Sequence, residues 1–419
     1  MGDHNHFIIC KYGKVITHLF TNILPLGELF FIYVGNGPGI VRFDNKDDTK
    51  QLELGRIVED STVHSSIYDA LKLKNYKNID YIYGKSIQAI ERSDGMLTVS
   101  IGSNNKEINK LTTKLLIGAD GASSTVRRLS GISTWGWGYG QEAIVCTVMV
   151  DKSHSTAWQK YISTGPIAIL PLWDNYSSIV WSTSSVEAKR LKELSPEAFV
   201  AELNKIMQTP PVTEKWLPPE STYDNAHKSI LSKFLNKSKT EIMALVDTAI
   251  SVAQLNDPYV KPPIITGMHS VRVGFPLQFL QANTYVKDNI ALIGDSAHSI
   301  HPQAGQGLNL GIRDADILAH TIVEALENGQ NISDEMVLAN YGTGRARNNL
   351  AMMSIVDSIH RLFNNNSLVG VEYSDTYSNQ HNSTMLMKSK QLVRTLGLLG
   401  VHSTGNVLKN NIARIAMGL

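Results

Sequence analysis

An acid and two histidines stand at three-residue steps, Asp295, His298 and His301, within the stretch ALIGDSAHSIHPQAGQGLNLGIRDA, residues 291–315. Gly305, Gly307 and Gly311 follow them. Three chemistries use such residues. A divalent metal would take the acid and the imidazoles, but positions i, i+3 and i+6 turn through about 600° of helix. Pro302 also interrupts any continuous helix there. A Gly-Asp-Ser nucleophile at Ser296 needs a base and an oxyanion hole, and no Gly-x-Ser-x-Gly elbow surrounds it. A cradle for a phosphate-bearing cofactor accounts for more of these residues together. The glycines open a helix whose free N–H groups and positive dipole end favour anionic atoms, and their missing Cβ atoms permit close approach. Asp295, at a strand end, is then placed to accept hydrogen bonds from sugar hydroxyls. His298 and His301 become packing or loop-bonding groups rather than bases.

The elements that must hold these residues follow from the apolar pattern. Two strands, LLIGAD (115–120) and ALIGD (291–295), end in Gly-x-Asp and Gly-Asp, where the carboxyl ends of parallel strands meet ligands. Between them AIVCTVMV, GPIAILPLW and SSIVWSTSS predict strands of an antiparallel sheet, so one α/β unit is interrupted by another. Residues 55–72 predict a helix, IDYIYG a short strand, and GMLTVSIG part of a hairpin or meander. HSVRVGFPL predicts a further strand, and a helix is expected from Gly307 and again from about Asp334. Residues 205–265, bounded by TPP, LPPE and KPP, read as an insertion. Val15–Val34 has the length of a membrane span, yet His18, Asn22, Pro25 and Glu28 oppose one. VGNGPGIVRFD, with Gly35, Gly37 and Gly39, has the wrong spacing for a dinucleotide loop and reads as a turn. Composition sets outer bounds. The 419 residues suffice for two or three domains, and 42% hydrophobic with 18% charged residues describes a folded chain. A net charge of +1 gives no support to nucleic acid as a partner. Two cysteines, Cys10 and Cys146, exclude a disulfide framework or a Cys-rich metal centre.

LLIGADGASSTVR resembles the Asp-Gly motif of the flavin-dependent aromatic hydroxylases, and IGDSAHSIHPQAGQGLNLGIRD resembles their Gly-Asp FAD motif. TAWQKYISTGPIAILPLWDNYSSIVWSTS is similar to the branch of mitochondrial ubiquinone (coenzyme Q) biosynthesis monooxygenases. The resemblance runs from about Tyr33 to the C-terminus. It implies the α/β (α+β) flavin aromatic-hydroxylase fold, with an interrupted parallel-sheet FAD-binding domain, an antiparallel-sheet substrate domain and C-terminal helices. Carried over position by position, it implies FAD contacts from Asp120, Gly121 and Arg127, and from Gly294, Asp295, Pro302, Gly305, Gly307, Leu308 and Asn309. It singles out no residue for the chemical step and no metal site. The implied activity is that of an oxidoreductase, a flavoprotein monooxygenase hydroxylating ring carbon 5 of a 4-hydroxy-3-polyprenylbenzoate with O2. Ferredoxin and ferredoxin reductase are the implied electron donors, and other ubiquinone-biosynthesis proteins the implied partners. The implied place is the matrix side of the mitochondrial inner membrane, as a peripheral protein. The alternative is a catalytically inactive scaffold subunit of a ubiquinone-synthesis complex.

The family opens with a strand–Gly-x-Gly-x-x-Gly–helix unit that holds a pyrophosphate. Met1 to about Phe31 contains no such unit, nor an Arg-rich transit peptide. The expectation is therefore an N-terminally truncated chain that retains FAD poorly. The expected division is residues 1–32 outside the family, 33–133 as the first part of the FAD-binding domain, and 134–285 as the substrate domain carrying the insertion. Residues 286–360 then complete the FAD-binding domain, and 361–419 form a C-terminal helical region. In that last region Lys388, Lys390, Arg394, Lys409 and Arg414 accompany Leu392, Val393, Leu396 and Leu399 at helical spacing. Residues 385–419 are thus expected to dock on an anionic membrane surface.

Overall fold

The computed structural model describes residues 26–27, 29–34, 40–44, 55–57, 60–73, 79–103, 106–210 and 260–363. In chain order the strands are β1 Leu26–Gly27, β2 Leu29–Val34, β3 Ile40–Asp44, β4 Gly55–Arg56, β5 Ser86–Ser93, β6 Met96–Ser103, β7 Lys106–Thr113 and β8 Leu116–Gly118. They continue with β9 Thr134–Val150, β10 Thr156–Ile162, β11 Gly165–Pro171, β12 Tyr176–Ser184, β13 Ile265–Met268, β14 Val273–Ala282, β15 Val286–Lys287, β16 Ile290–Leu292 and β17 His298–Ser299. The helices are α1 Asp60–Leu73, α2 Thr125–Leu129, α3 Ser185–Glu193, α4 Pro196–Gln208, α5 Gln306–Glu327 and α6 Glu335–Phe363.

The largest sheet runs in the order β17-β14-β9-β12-β11-β10-β2-β3, with β13 also against β9. Successive side chains of a strand face opposite ways, so Ile144, Cys146 and Val148 of β9 line one face with Trp158, Ile167, Ile169, Ile179 and Trp181. Helices α3 and α4 close that face with Ala188, Leu191, Phe199, Leu203 and Met207. Both helices start on serine caps, Ser184 accepting from Glu187 N–H and Ser195 from Ala198 N–H, with Pro196 in the first turn. Burial of each large apolar side chain here contributes about 1.5–3 kcal/mol.

A second core lies under a three-stranded sheet, β15-β16-β8, in which β8 and β16 run parallel. Leu116, Val126, Tyr285, Ala291, Leu292, Leu318, Leu338 and Tyr341 fill it, together with Leu97 and Val99 of the β5-β6-β7 meander. This arrangement sets the ends of the two acid-bearing strands beside each other.

Two expectations are corrected. IDYIYG is not a strand: Tyr81, Ile82 and Tyr83 are exposed, and Gly84 turns the chain at φ +69°. An apolar alternation there finds no strand to pair with among the described residues. The boundary placed between residues 32 and 33 falls inside β2. That strand pairs parallel with β10, from Leu29 opposite Thr156 to Val34 opposite Tyr161, and β3 extends the same sheet. Residues 29–34 and 40–44 thus belong with the sheet expected to begin at 134, because β10 has an edge left open after pairing β11. Among the described residues no helix is long and apolar enough to cross a membrane. Residues 1–25, 35–39, most of the expected insertion (211–259) and residues 364–419, which hold the expected membrane-docking segment 385–419, lie outside the described residues.

Candidate cofactor site

The parallel pairing places Leu292 opposite Gly118. A Cβ on Gly118 would stand 2.8 Å from Leu292 Cδ2 and 3.0 Å from Val126 Cγ1, so glycine there lets both strands and α2 close together. Ile293 N–H donates to Gly118 O at 3.0 Å, and the buried Ser296 hydroxyl donates to the same carbonyl at 2.6 Å. Arg127 completes the junction: Nη1 donates to Ser296 O and Nη2 to Ala122 O, both at 2.7 Å. Burial lowers its pKa, with Asp120 pulling the other way. The two motifs, far apart in sequence, meet through this guanidinium.

Within the first motif, Asp120 is occupied by its own surroundings. One oxygen accepts from Ser124 Oγ at 2.5 Å, the other from the N–H groups of Thr125 (2.7 Å) and Val126 (3.0 Å). Ser124 Oγ accepts from Arg127 N–H at 3.0 Å, so the first turn of α2 is fully supplied with acceptors. Gly121 follows at φ +79°.

Asp295 is different. It lies in the tight turn Gly294–Ser296, exposed, with no hydrogen bond among the described residues. Its carboxylate reaches solvent, yet the protein around it displaces enough water to raise its pKa, the nearby His298 opposing. Next comes the turn Pro302–Ala304, where His301 Nδ1 accepts from Gln303 N–H at 3.2 Å. Gly305, at φ +61°, then reverses the chain into the 22-residue α5 and offers no side-chain cap. Among the described residues, nothing lies within 4 Å of a Cβ built on Gly305, and only Ile300 Cγ2 (3.8 Å) near one on Gly307. Leu308 and Asn309 are exposed on the same first turn. Gly311 serves another purpose: a Cβ there would stand 3.3 Å from Gly294 Cα, so it marks where α5 packs on the Asp295 turn. Open glycines, a long helix without a side-chain cap and a carboxylate that receives no hydrogen bond among the described residues fit a group bearing both phosphate and hydroxyls.

Two buried polar clusters support this surface. In one, Asp314 of α5 is fully buried and accepts four hydrogen bonds. They come from Gly294 N–H (2.9 Å), His298 Nε2 (2.8 Å), Arg345 Nε (2.7 Å) and Asn349 Nδ2 (3.0 Å). Burial alone would raise this carboxyl, but the bonds from His298, Arg345 and Asn349 hold it below its ordinary value. In the other cluster, His301 meets Tyr139 and His360 at ring-centroid distances of 5.1 and 4.4 Å. Tyr139 donates to Asp357 at 2.9 Å. Burial first, and His360 second, push His301 down to about 3, and burial takes His360 to about 4. Both imidazoles are therefore neutral. Among the described residues no group of three or more His, Cys, Asp or Glu stands close enough to hold a metal. Sequence reasoning singled out Asp295, Gly305, Gly307, Leu308 and Asn309, which lie on this open surface, but not Asp314, Arg345, Asn349, Tyr139 and His360 behind it. Only Asp314 left a signal, one turn of helix after Gly311 in GLNLGIRDA.

The chain matches the family model described as FAD binding domain over residues 82–230 and 248–354. It is 37% identical over 260 residues to the Danio rerio protein named ubiquinone biosynthesis monooxygenase COQ6, mitochondrial, covering 61% of this chain and 50% of that one. To the Caenorhabditis elegans protein of the same name it is 33% identical over 321 residues, covering 75% and 66%. The chain spans between half and two thirds of the length of these relatives. Among solved structures, p-nitrophenol 4-monooxygenase PnpA from Pseudomonas putida DLL-E4 matches with a TM-score of 0.55 at 16% identity, covering 90% of this chain and 81% of that one. That likeness concerns the fold, which is the flavin aromatic-hydroxylase fold expected from the sequence.

Proposed function

Because the chain belongs to the FAD binding domain family, we propose that it works as an FAD-dependent aromatic-ring monooxygenase of ubiquinone biosynthesis. The observation that carries this reading is the pairing of the exposed Asp295 carboxylate, without a donor among the described residues, with the start of α5, which has no side-chain cap. Asp295 would accept hydrogen bonds from ribityl hydroxyls, and the N–H groups following Gly305 would face the pyrophosphate. Pro302, Gly305, Gly307, Leu308 and Asn309 would line the flavin, while Asp120, Gly121 and Arg127 shape the loop beside it. In this role Arg127 holds the two loops in register, and Asp120 keeps α2 in place. Bound FAD, once reduced, supplies the two electrons and the activation of O2 that ring hydroxylation needs. The overall step turns one ring C–H into C–OH; one oxygen atom of O2 enters the product and the other leaves as water.

The finer reading is hydroxylation at carbon 5 of a 4-hydroxy-3-polyprenylbenzoate, with electrons from ferredoxin and its reductase. The relatives' printed name supports a mitochondrial place, and a prenylated substrate held in a bilayer favours peripheral contact with the matrix face of the inner membrane. The division into an FAD-binding part and a substrate-binding sheet is part of the same proposal. Two measurements test it. Titration with FAD to saturation, which reads weak binding as well as tight, should produce a bound-flavin absorption spectrum. With a reducing system and a prenylated 4-hydroxybenzoate, isotope-labelled O2 should place one labelled oxygen on the ring. A chain that binds its partners but takes up no flavin would favour the scaffold reading instead.

A further inference from the structure

We infer that Asp314 is a positioning residue for the cofactor site: it sets the Asp295 carboxylate at a fixed offset from the start of α5. The inference rests on the flavin reading of that site. Asp314 lies on the same helix whose first turn forms the cradle, and it holds Gly294, the residue before Asp295, by the backbone N–H at 2.9 Å. Gly311, three residues earlier on α5, touches the same turn, with only 3.3 Å between its potential Cβ and Gly294 Cα. One helix therefore grips the turn at two points and presents the cradle at its end. Gly294 needs this grip. Its φ is +58°, its N–H donates inward to the buried Asp314 while the next side chain is exposed, and that N–H without an acceptor would let the turn relax.

The donors around Asp314 are divided in a way that makes the proposal testable. Oδ2 accepts from Gly294 and His298, on the side of the turn; Oδ1 accepts from Arg345 and Asn349, on the side of α6. In Asp314→Asn only one oxygen remains. The guanidinium of Arg345 draws that oxygen to its own side, and the new NH2 confronts the Gly294 N–H. The turn loses its acceptor while the contact between α5 and α6 survives. A residue that merely held the two helices together would not act through Asp295.

The experiment is a double-mutant cycle on the full chain, reading FAD affinity by flavin fluorescence and the melting of the flavin-free protein. Asp314→Asn and Asp295→Asn should each weaken FAD by about tenfold or more, the loss of a hydrogen bond to a charged group. The double variant should bind no worse than Asp295→Asn alone, because the first change acts through the second residue. Penalties that multiply, or an Asp314→Asn chain with unaltered affinity, overturn the proposal. If Asp314→Asn fails to fold, Gly311→Ala takes its place: it leaves the carboxylate and its donors intact but displaces the turn by a few tenths of an ångström. It should weaken FAD with little change in flavin-free melting, and unaltered affinity would overturn the proposal. Failure of the unsubstituted chain to bind FAD would overturn the functional reading, and this inference with it.

Discussion

At the end of β8 the Asp120 carboxylate receives three hydrogen bonds from its own loop and helix, whereas one strand away, past β16, Asp295 receives none among the described residues. Both follow a buried apolar strand and a glycine at or near its end. The difference lies in what comes next. After Asp120, α2 begins within five residues, and its first N–H groups turn back onto the carboxylate. After Asp295, the chain runs through β17 and one further turn, Pro302–Ala304, before α5 begins, and the adjoining Gly294 N–H is claimed by Asp314. The same residue type at neighbouring strand ends thus becomes a helix cap in one place and an available ligand group in the other. The available one requires the larger buried support.

That comparison can be broken in several ways. The largest effect should follow Asp314→Ala, which leaves the Arg345 guanidinium, 3% exposed, without its carboxylate. Breaking a buried pair in this way costs about 3–5 kcal/mol, to be read as loss of stability in urea. Acid should act next, and locally. His301 and His360 titrate near 3 and 4 when folded, below their ordinary value of about 6.5. Their contribution is therefore complete above about pH 6.5 and is lost as pH falls from there toward 4 and 3, by up to about 1.4 kcal/mol per unit for each. Hydrogen exchange should consequently rise first in residues 298–305 as pH is lowered, with residues 120–130 staying protected. In His301→Asn, which keeps an acceptor for Gln303 N–H but cannot titrate, this acid limb should shrink. The smallest effect belongs to Asp120→Ala: about 0.5–2 kcal/mol, the worth of a helix cap, seen as lower melting of the flavin-free chain.

The parts of the molecule that were legible in the sequence are those written in contiguous residues. Strand, glycine turn and helix start follow one another in 291–315, so the open surface could be named in advance. The support could not be, because its donors come from β17, α6 and the turn after β16, and no local pattern announces that His298, Arg345 and Asn349 converge on one carboxylate. Glycine spacing alone also failed to separate Gly305 and Gly307, where a Cβ would be tolerated for space, from Gly311, which packs against Gly294. IDYIYG shows the converse limit. Its apolar residues suit a strand, but a strand exists only where a partner offers backbone groups, and none of the described residues does so there. β2 was hidden for the same reason: its partner, β10, lies more than a hundred residues onward.

The most direct test of the account pairs two conservative changes, Asp120→Asn and Asp295→Asn, and measures for each both FAD affinity and the melting temperature of the flavin-free chain. The account predicts opposite outcomes. Asp295→Asn should leave melting within about 0.5 kcal/mol of the parent, as for an exposed side chain without partners, and weaken FAD by about tenfold or more. Asp120→Asn should lower melting and change FAD affinity much less. Loss of stability in Asp295→Asn with FAD affinity retained would contradict the account.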